Sequence, residues 1–231
     1  MEFLWEGIKE AIRLIASGDR QVLHAGFVSV LCTVSALALA AALAIPYGAW
    51  LGLYRPRWSN LQALLLRVGM FVPTVVVGLV VYGLLSNHGL LGAADLLYTK
   101  LAIIVGEFLL AFPIIGSLTY AAVADLDLTA LETARTLGAS RWRAMWTMLG
   151  QVRVSVMTAF LMAFARCFTE LGVAITVGGN LEMRTRTLAS TVVLDLSRGR
   201  FSQAMAPGLI LILIAILITA AALRIAQEQK R

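Results

Sequence analysis

Between Ala25 and Tyr54 the chain carries no charged residue, and between Phe201 and Leu223 it again carries none. Each run exceeds the roughly 20 apolar residues that a helix needs to cross a hydrocarbon core about 30 Å thick. Inside that core every backbone N–H and C=O must be satisfied by the protein itself, so only helices or a closed barrel can cross. A barrel strand alternates apolar and polar residues over about ten positions. Continuous runs such as LCTVSALALAAALAI exclude that pattern. The chain reads as an all-α integral membrane protein.

Composition agrees. Sixty per cent of the residues are hydrophobic and 14% are charged, with a mean hydropathy of +0.85, whereas a soluble domain has about 25% charged residues. Five transmembrane helices are expected, at about 27–53, 61–85, 101–123, 154–177 and 201–223. They form one membrane domain over 25–225, with residues 226–231 as a cytoplasmic tail and 125–151 as a polar loop. Residues 1–24 precede it as an amphipathic interfacial helix. Leu4, Trp5, Ile8, Ile12 and Ile15 share one face of that helix, and Glu2, Glu6, Lys9, Glu10 and Arg13 the other. It lacks the basic start and apolar middle of a cleavable signal peptide.

Pro46, Pro73 and Pro113 fall inside three successive spans, and each removes a backbone hydrogen bond. Either ordinary bundle packing or a bundle that rocks accounts for them. Gly48 and Gly52 have a spacing that permits close helix contact. The net charge of +6 reads as basic loops beside anionic lipid rather than a nucleic-acid surface. Cys32 and Cys167 are solitary, with no metal-ligand spacing, and His24 and His88 have no assigned role. No GxxxxGK[ST] loop is present, so the chain does not itself use ATP. HExxH and GxSxG are missing too, which argues against a membrane enzyme.

The polar stretch Thr129–Gln151 stands out between two apolar spans. Thr129 and Glu132 have the spacing of a capping box, which predicts a helix starting at Ala130. Gly138 falls where a left-handed residue would end it. Ser140 is placed to cap a second helix, with Trp142, Met145, Trp146 and Leu149 as its apolar stripe and Arg141 and Arg143 on the wetter side. Ala134 and Ala139 lie near the corner. If this loop is cytoplasmic, five spans put the N-terminus outside. Basic residues then divide almost evenly between the two sides, against the usual inside bias. Either the orientation is reversed, or outside arginines such as Arg184, Arg186, Arg198 and Arg200 are there for another reason, and an anionic cargo would be one.

Inside the fourth span Arg166 and Glu170 stand four apart and share a helix face. A charge at the centre of a span costs about 2.5–3.5 kcal/mol or more, so such residues face the bundle interior or a cavity. The two are either a structural ion pair or part of an anion route, because guanidinium donors reach two oxygens of an oxyanion at once. Glu107 sits in the third span with no identifiable partner.

The polar loop resembles the EAA loop of permease subunits in ATP-binding-cassette importers. Glu132, Thr133 and Ala134 stand for EAA, Gly138 has the family's spacing, and Leu149 is kept from the closing signature. Thr133, Thr147 and Gly150 depart from it. Residues 163–180, AFARCFTELGVAITVGGN, resemble the matching helix of molybdate-type permeases at Phe164, Ala165, Arg166, Glu170, Gly172, Gly179 and Asn180. With MRTRTL following, the form is most similar to the tungstate branch of the molybdate, tungstate and sulfate permeases. The resemblance implies a type I importer permease in the inner membrane of a prokaryote, paired with a second copy of itself. Its partners would be a cytoplasmic ATPase dimer that uses ATP and Mg²⁺, a soluble oxyanion-binding protein and membrane lipid. This chain would bind no cofactor. Glu132, Ala134, Gly138, Ala139, Arg141 and Leu149 would couple to the ATPase. Arg166, Glu170, Asn180, Arg184 and Arg186 would serve the route, for tungstate or alternatively molybdate or sulfate. A rival of another class is an ion-coupled secondary transporter using Glu107 and Glu170, but no internal repeat supports it.

Overall fold

The side chain of Asp19 accepts hydrogen bonds from the backbone N–H groups of Gln21 (2.9 Å) and Val22 (3.0 Å). It thereby starts helix α1, Arg20–Tyr54. The structure is a computed structural model describing residues 5, 7–9, 12, 13, 16–127 and 129–228, with backbone alone for 222, 223 and 225–228. Leu4, Ile15, Glu2, Glu6 and Glu10 of the expected amphipathic face lie outside the described residues, as do Lys230 and Arg231. The described part of that segment is helical up to Ala16, and Gly7 packs against Met205 and Phe201.

After α1 come α2 (Ser59–Gly69), α3 (Thr74–Leu85), a 3₁₀ turn (Gly92–Ala94) and α4 (Lys100–Ala124). Then follow α5 (Thr129–Thr136), α6 (Arg141–Gln151), α7 (Arg153–Phe168), α8 (Gly172–Gly178), α9 (Leu188–Ser197) and α10 (Phe201–Glu228). Arg20–Tyr54, Lys100–Ala124 and Phe201–Ala221 are each long and apolar enough to cross a membrane alone. Two bent helix pairs, α2 with α3 (103°) and α6 with α7 (76°), bring the possible crossings to five.

Two of the expected spans are not single helices. The stretch 61–85 bends by 103° between α2 and α3. Pro73 stands at the N-cap of α3, not inside a helix. The reason is local: proline lacks an N–H and pushes the preceding residue out of the helical region. The stretch 154–177 is likewise divided, α7 ending at Phe168 and α8 starting at Gly172. Pro46 and Pro113 do lie inside helices, and so does Pro207 of α10.

Close approach of small residues holds the centre together, as expected where lipid removes the hydrophobic drive between helices. A Cβ on Gly48 would lie 2.5 Å from the carbonyl oxygen of Gly116, and one on Gly52 would lie 3.1 Å from that of Tyr120. The Gly48–Gly52 pair thus seats α1 against α4 along the same direction. The two broken spans meet each other. A Cβ on Gly78 of α3 would collide with Thr176 Oγ1 of α8, and one on Gly172 would lie 2.8 Å from Thr74 Oγ1.

The bundle has two distinct ends. At one, Leu53, Val123, Leu131, Met148 and Leu149 form a buried cluster joining α1, α4, α5 and α6. At the other, Ser29 of α1 accepts from the N–H of Leu188 (2.9 Å), and Gln21 Nε2 donates to Glu182 (2.7 Å).

Candidate functional site

The first candidate region is the polar loop. Helix α5 starts at Thr129, one residue earlier than expected, and the capping box is not formed. Asp127 replaces it, accepting from the N–H (3.0 Å) and hydroxyl (2.6 Å) of Thr129. Those bonds, the hydroxyl's first, hold the Asp127 carboxyl below its ordinary value. At the far end, the N–H of Gly138 donates to Arg135 O and that of Ala139 to Ala134 O, both at 3.0 Å. Gly138 has φ +84°, so the pattern is the Schellman termination that its position predicts. Nothing lies within 4 Å of where its Cβ would be.

Ser140 caps α6 by accepting from the N–H of Arg143. The buried face of α6 is Ala144, Met145, Met148 and Leu149. This corrects the expected stripe: Trp142 and Trp146 are exposed and stack edge to face at 5.7 Å. Leu137 at the corner is 82% exposed. Tyr54 donates to the carbonyl of Arg141 (2.7 Å), fastening the loop to the end of α1. Burial of Leu131 and Leu149 in the cluster beneath contributes roughly 1.5–3 kcal/mol each. The result is a helix–turn–helix held firmly from below, with an apolar, basic outer side of Leu137, Arg141, Trp142 and Trp146.

The second region is the break between α7 and α8. Glu170 is buried, and both its oxygens are bonded. Oε2 accepts from Arg166 (2.8 Å), and Oε1 accepts from the N–H of Val173 (3.1 Å) in the first turn of α8. The carboxylate therefore caps a helix that starts within the bundle, as an acidic group at a helix N-terminus should. The Arg166 side chain is 44% exposed against 1% for that of Glu170. One nitrogen of the guanidinium is held by Glu170, and the side chain is otherwise partly exposed. The pair is both structural and presented, so the two sequence alternatives for it are compatible.

Glu107 lies on α4 and is buried, facing the thiol of Cys167, which donates to its backbone carbonyl (3.7 Å). Its side chain meets Thr33 of α1, and Oε2 has no hydrogen-bond partner. The sequence offered no means of pairing Glu107 with Thr33, because they lie on different helices.

The remaining route candidates follow the end of α8. Asn180, at φ +49°, accepts from the Ser190 hydroxyl (2.9 Å) and so ties the end of α8 to α9. Arg186 is buried, with Nη1 3.4 Å from Glu182 and Nε unpartnered. Burial pushes the nearby Asp195 carboxyl up, and the charges of Arg200, Arg186 and Arg198 oppose that shift. Arg184 is exposed and lines a recess beside Lys100. Lys100 was missed in the sequence, although a lysine directly after the capping Thr99 puts a cation in the first turn of α4.

Residues 44–228 match the profile of the family described as binding-protein-dependent transport system inner membrane component. The chain belongs to this family. It is 34% identical over 228 residues to the tungstate uptake system permease protein of Peptoclostridium acidaminophilum, covering 99% of this chain and 100% of that protein. It is 30% identical over 215 residues to the tungstate uptake system permease protein of Campylobacter jejuni, covering 93% and 90%. To the molybdenum transport system permease protein of Escherichia coli K12 it is 29% identical over 180 residues, 71% of this chain and 77% of that one. This chain is accordingly the permease subunit of an ATP-binding-cassette importer, a transport component and not an enzyme. It resides in the inner membrane and works with an ATPase and a substrate-binding protein.

Proposed function

We propose that this permease carries tungstate inward along the interface between two copies of itself. One observation supports the route above others: Arg166, at a helix break within the bundle, stays 44% exposed while Glu170 fixes its position. Two such arginines across a two-fold axis would offer paired donors to a tetrahedral dianion. Molybdate or sulfate would meet the same donors, and choice among them falls to the binding protein. The names of the tungstate permeases matched over nearly the whole chain favour tungstate.

The loop around Gly138 supplies the drive. Glu132, Ala134, Gly138, Ala139, Arg141 and Leu149 form or support the helix–turn–helix whose outer side would seat on the ATPase. ATP and Mg²⁺ are used there, with no cofactor held by this chain. Closure of the ATPase pair would tilt the bundle between two states that differ in these contacts. The exposed apolar faces of α1, α3 and α10 would meet lipid or the second copy.

Reconstitution with the cognate ATPase and binding protein, followed by uptake of each oxyanion, tests the reading. Arg166→Ala should lower tungstate uptake at least tenfold while ATPase subunits still copurify. Undiminished uptake in that variant removes Arg166 from the route. Wild-type uptake of sulfate alone removes tungstate as cargo.

A further inference from the structure

At the outer end of the bundle a recess of about 340 Å³ is walled by residues 98–101 and 183–185. Two cations line it, Lys100 and Arg184, and no carboxylate does. Among the described residues neither forms an ion pair, whereas Arg186, two positions on, is tied to Glu182.

Lys100 is the first residue of α4, a 25-residue helix with no acid in its first turn. A lysine there adds its charge to the positive end of the helix dipole, the reverse of the stabilising arrangement. Its Nζ lies 5.8 Å from the centre of the Phe27 ring. A cation over an aromatic face is positioned without being neutralised. The two segments that form the walls also hold non-glycine residues in the left-handed region, Tyr98 at φ +60° and Met183 at φ +54°. That conformation is uncommon for bulky side chains. At Tyr98 it is kept by the N–H donating to Val177 O (2.8 Å) and by Gly179 lying against the ring. The recess is thus built, cationic and uncompensated.

We infer that this recess is an outer-face subsite for a tetrahedral oxyanion group, held by Lys100 and Arg184. Resting on the importer reading, it would receive the cargo dianion before the dianion reaches Arg166. A phospholipid phosphate from the outer leaflet has the same chemistry and is the other source.

The test is calorimetric titration of sodium tungstate into the nucleotide-free permease–ATPase complex in maltoside micelles, without binding protein. Wild type should bind one tungstate per permease, more weakly as salt rises. Lys100→Gln/Arg184→Gln should weaken binding at least tenfold, and Arg184→Gln alone by roughly fivefold. Arg198→Gln, outside the recess, should match wild type, which controls for lost net charge. Absence of wild-type binding, or equal binding by the double variant, overturns the subsite. Repeating the titration in phosphatidylglycerol nanodiscs separates the sources. Unchanged affinity assigns the recess to free oxyanion. Lost affinity, with a copurifying phospholipid seen by native mass spectrometry in wild type alone, assigns it to a headgroup. Uptake by the full wild-type system is measured in parallel. Failure there with binding intact counts against the cargo reading and leaves the subsite standing.

Discussion

The loop at Gly138 and the break at Glu170 are both polar interruptions between helices, but they are solved by different means. Around Gly138 the capping bonds are short-range: Asp127 to Thr129, Gly138 to Arg135, Ala139 to Ala134, Ser140 to Arg143, with Tyr54 to Arg141 as the long-range tie. Water is available for the remaining groups, so local capping suffices. At the break the bonds of Glu170 are equally local, to Arg166 and Val173, but water is not assumed, and one buried carboxylate satisfies a guanidinium and a helix start together. Its surroundings come from α3 and α4, far away in sequence. A polar group in water can be arranged by its neighbours in the chain, while one in a membrane depends on the whole bundle.

The largest expected effect tests that dependence. Glu170→Ala strands the Arg166 guanidinium and uncaps α8. Breaking such a pair costs about 3 kcal/mol, reduced from the fully buried value by the exposure of Arg166. Glu170→Gln, which keeps an acceptor for Val173, should cost about 1 kcal/mol. Thermal unfolding in detergent reads both, and equal melting temperatures for Glu170→Ala and wild type would show the break to be as locally supported as the loop. Next in size is Gly78→Ala, which forces a methyl onto Thr176 Oγ1 and should cost roughly 1–3 kcal/mol. Adding Thr176→Ala should recover part of that loss, and failure to do so would place the strain elsewhere than at the contact of α3 with α8.

At the loop the effects on stability should be smaller and those on coupling larger. Gly138→Val meets no atom, so only the backbone objects, at roughly 1–2 kcal/mol. ATP hydrolysis should no longer track uptake in that variant, whereas Gly138→Asn, which tolerates the left-handed region, should stay coupled. Similar behaviour of the two variants would mean that volume, not torsion, matters at the corner. The smallest effect is the pH response of the start of α5. Asp127 is held below its ordinary value by its bonds to Thr129, so its support is present above the ordinary carboxylate range and fades as pH falls through the lowered value. The protection of the Thr129 amide, its exchange rate relative to the intrinsic rate at the same pH, should fall on acidification, and Asp127→Ala should abolish that dependence.

Most of the loop was legible in the sequence because its rules are local. Gly138 and Ser140 hold the positions that spacing assigned to them. Asp127 displaced the expected Thr129 box because a carboxylate two residues earlier reaches both donors of Thr129. The exposed face of α6 was misread, since apolar spacing alone cannot tell which of Trp146 and Met148 meets the end of α4. At the break the sequence named Arg166 and Glu170 but left their roles open, and it had no means of showing that Asn180 accepts from Ser190 and ties the end of α8 to α9.

The sequence by itself determined that this chain is a bundle of membrane helices, where its polar loop turns, and which charges lie inside the spans. Apolar run length, proline, glycine and capping residues act over a few positions, and that is enough for those conclusions. Tertiary structure decided that two of the spans are broken, that the breaks pack on each other through Gly78 and Gly172, and that Lys100 and Arg184 share a recess without a counter-charge. Those outcomes depend on which distant backbone comes near, and only the packed bundle sets that distance.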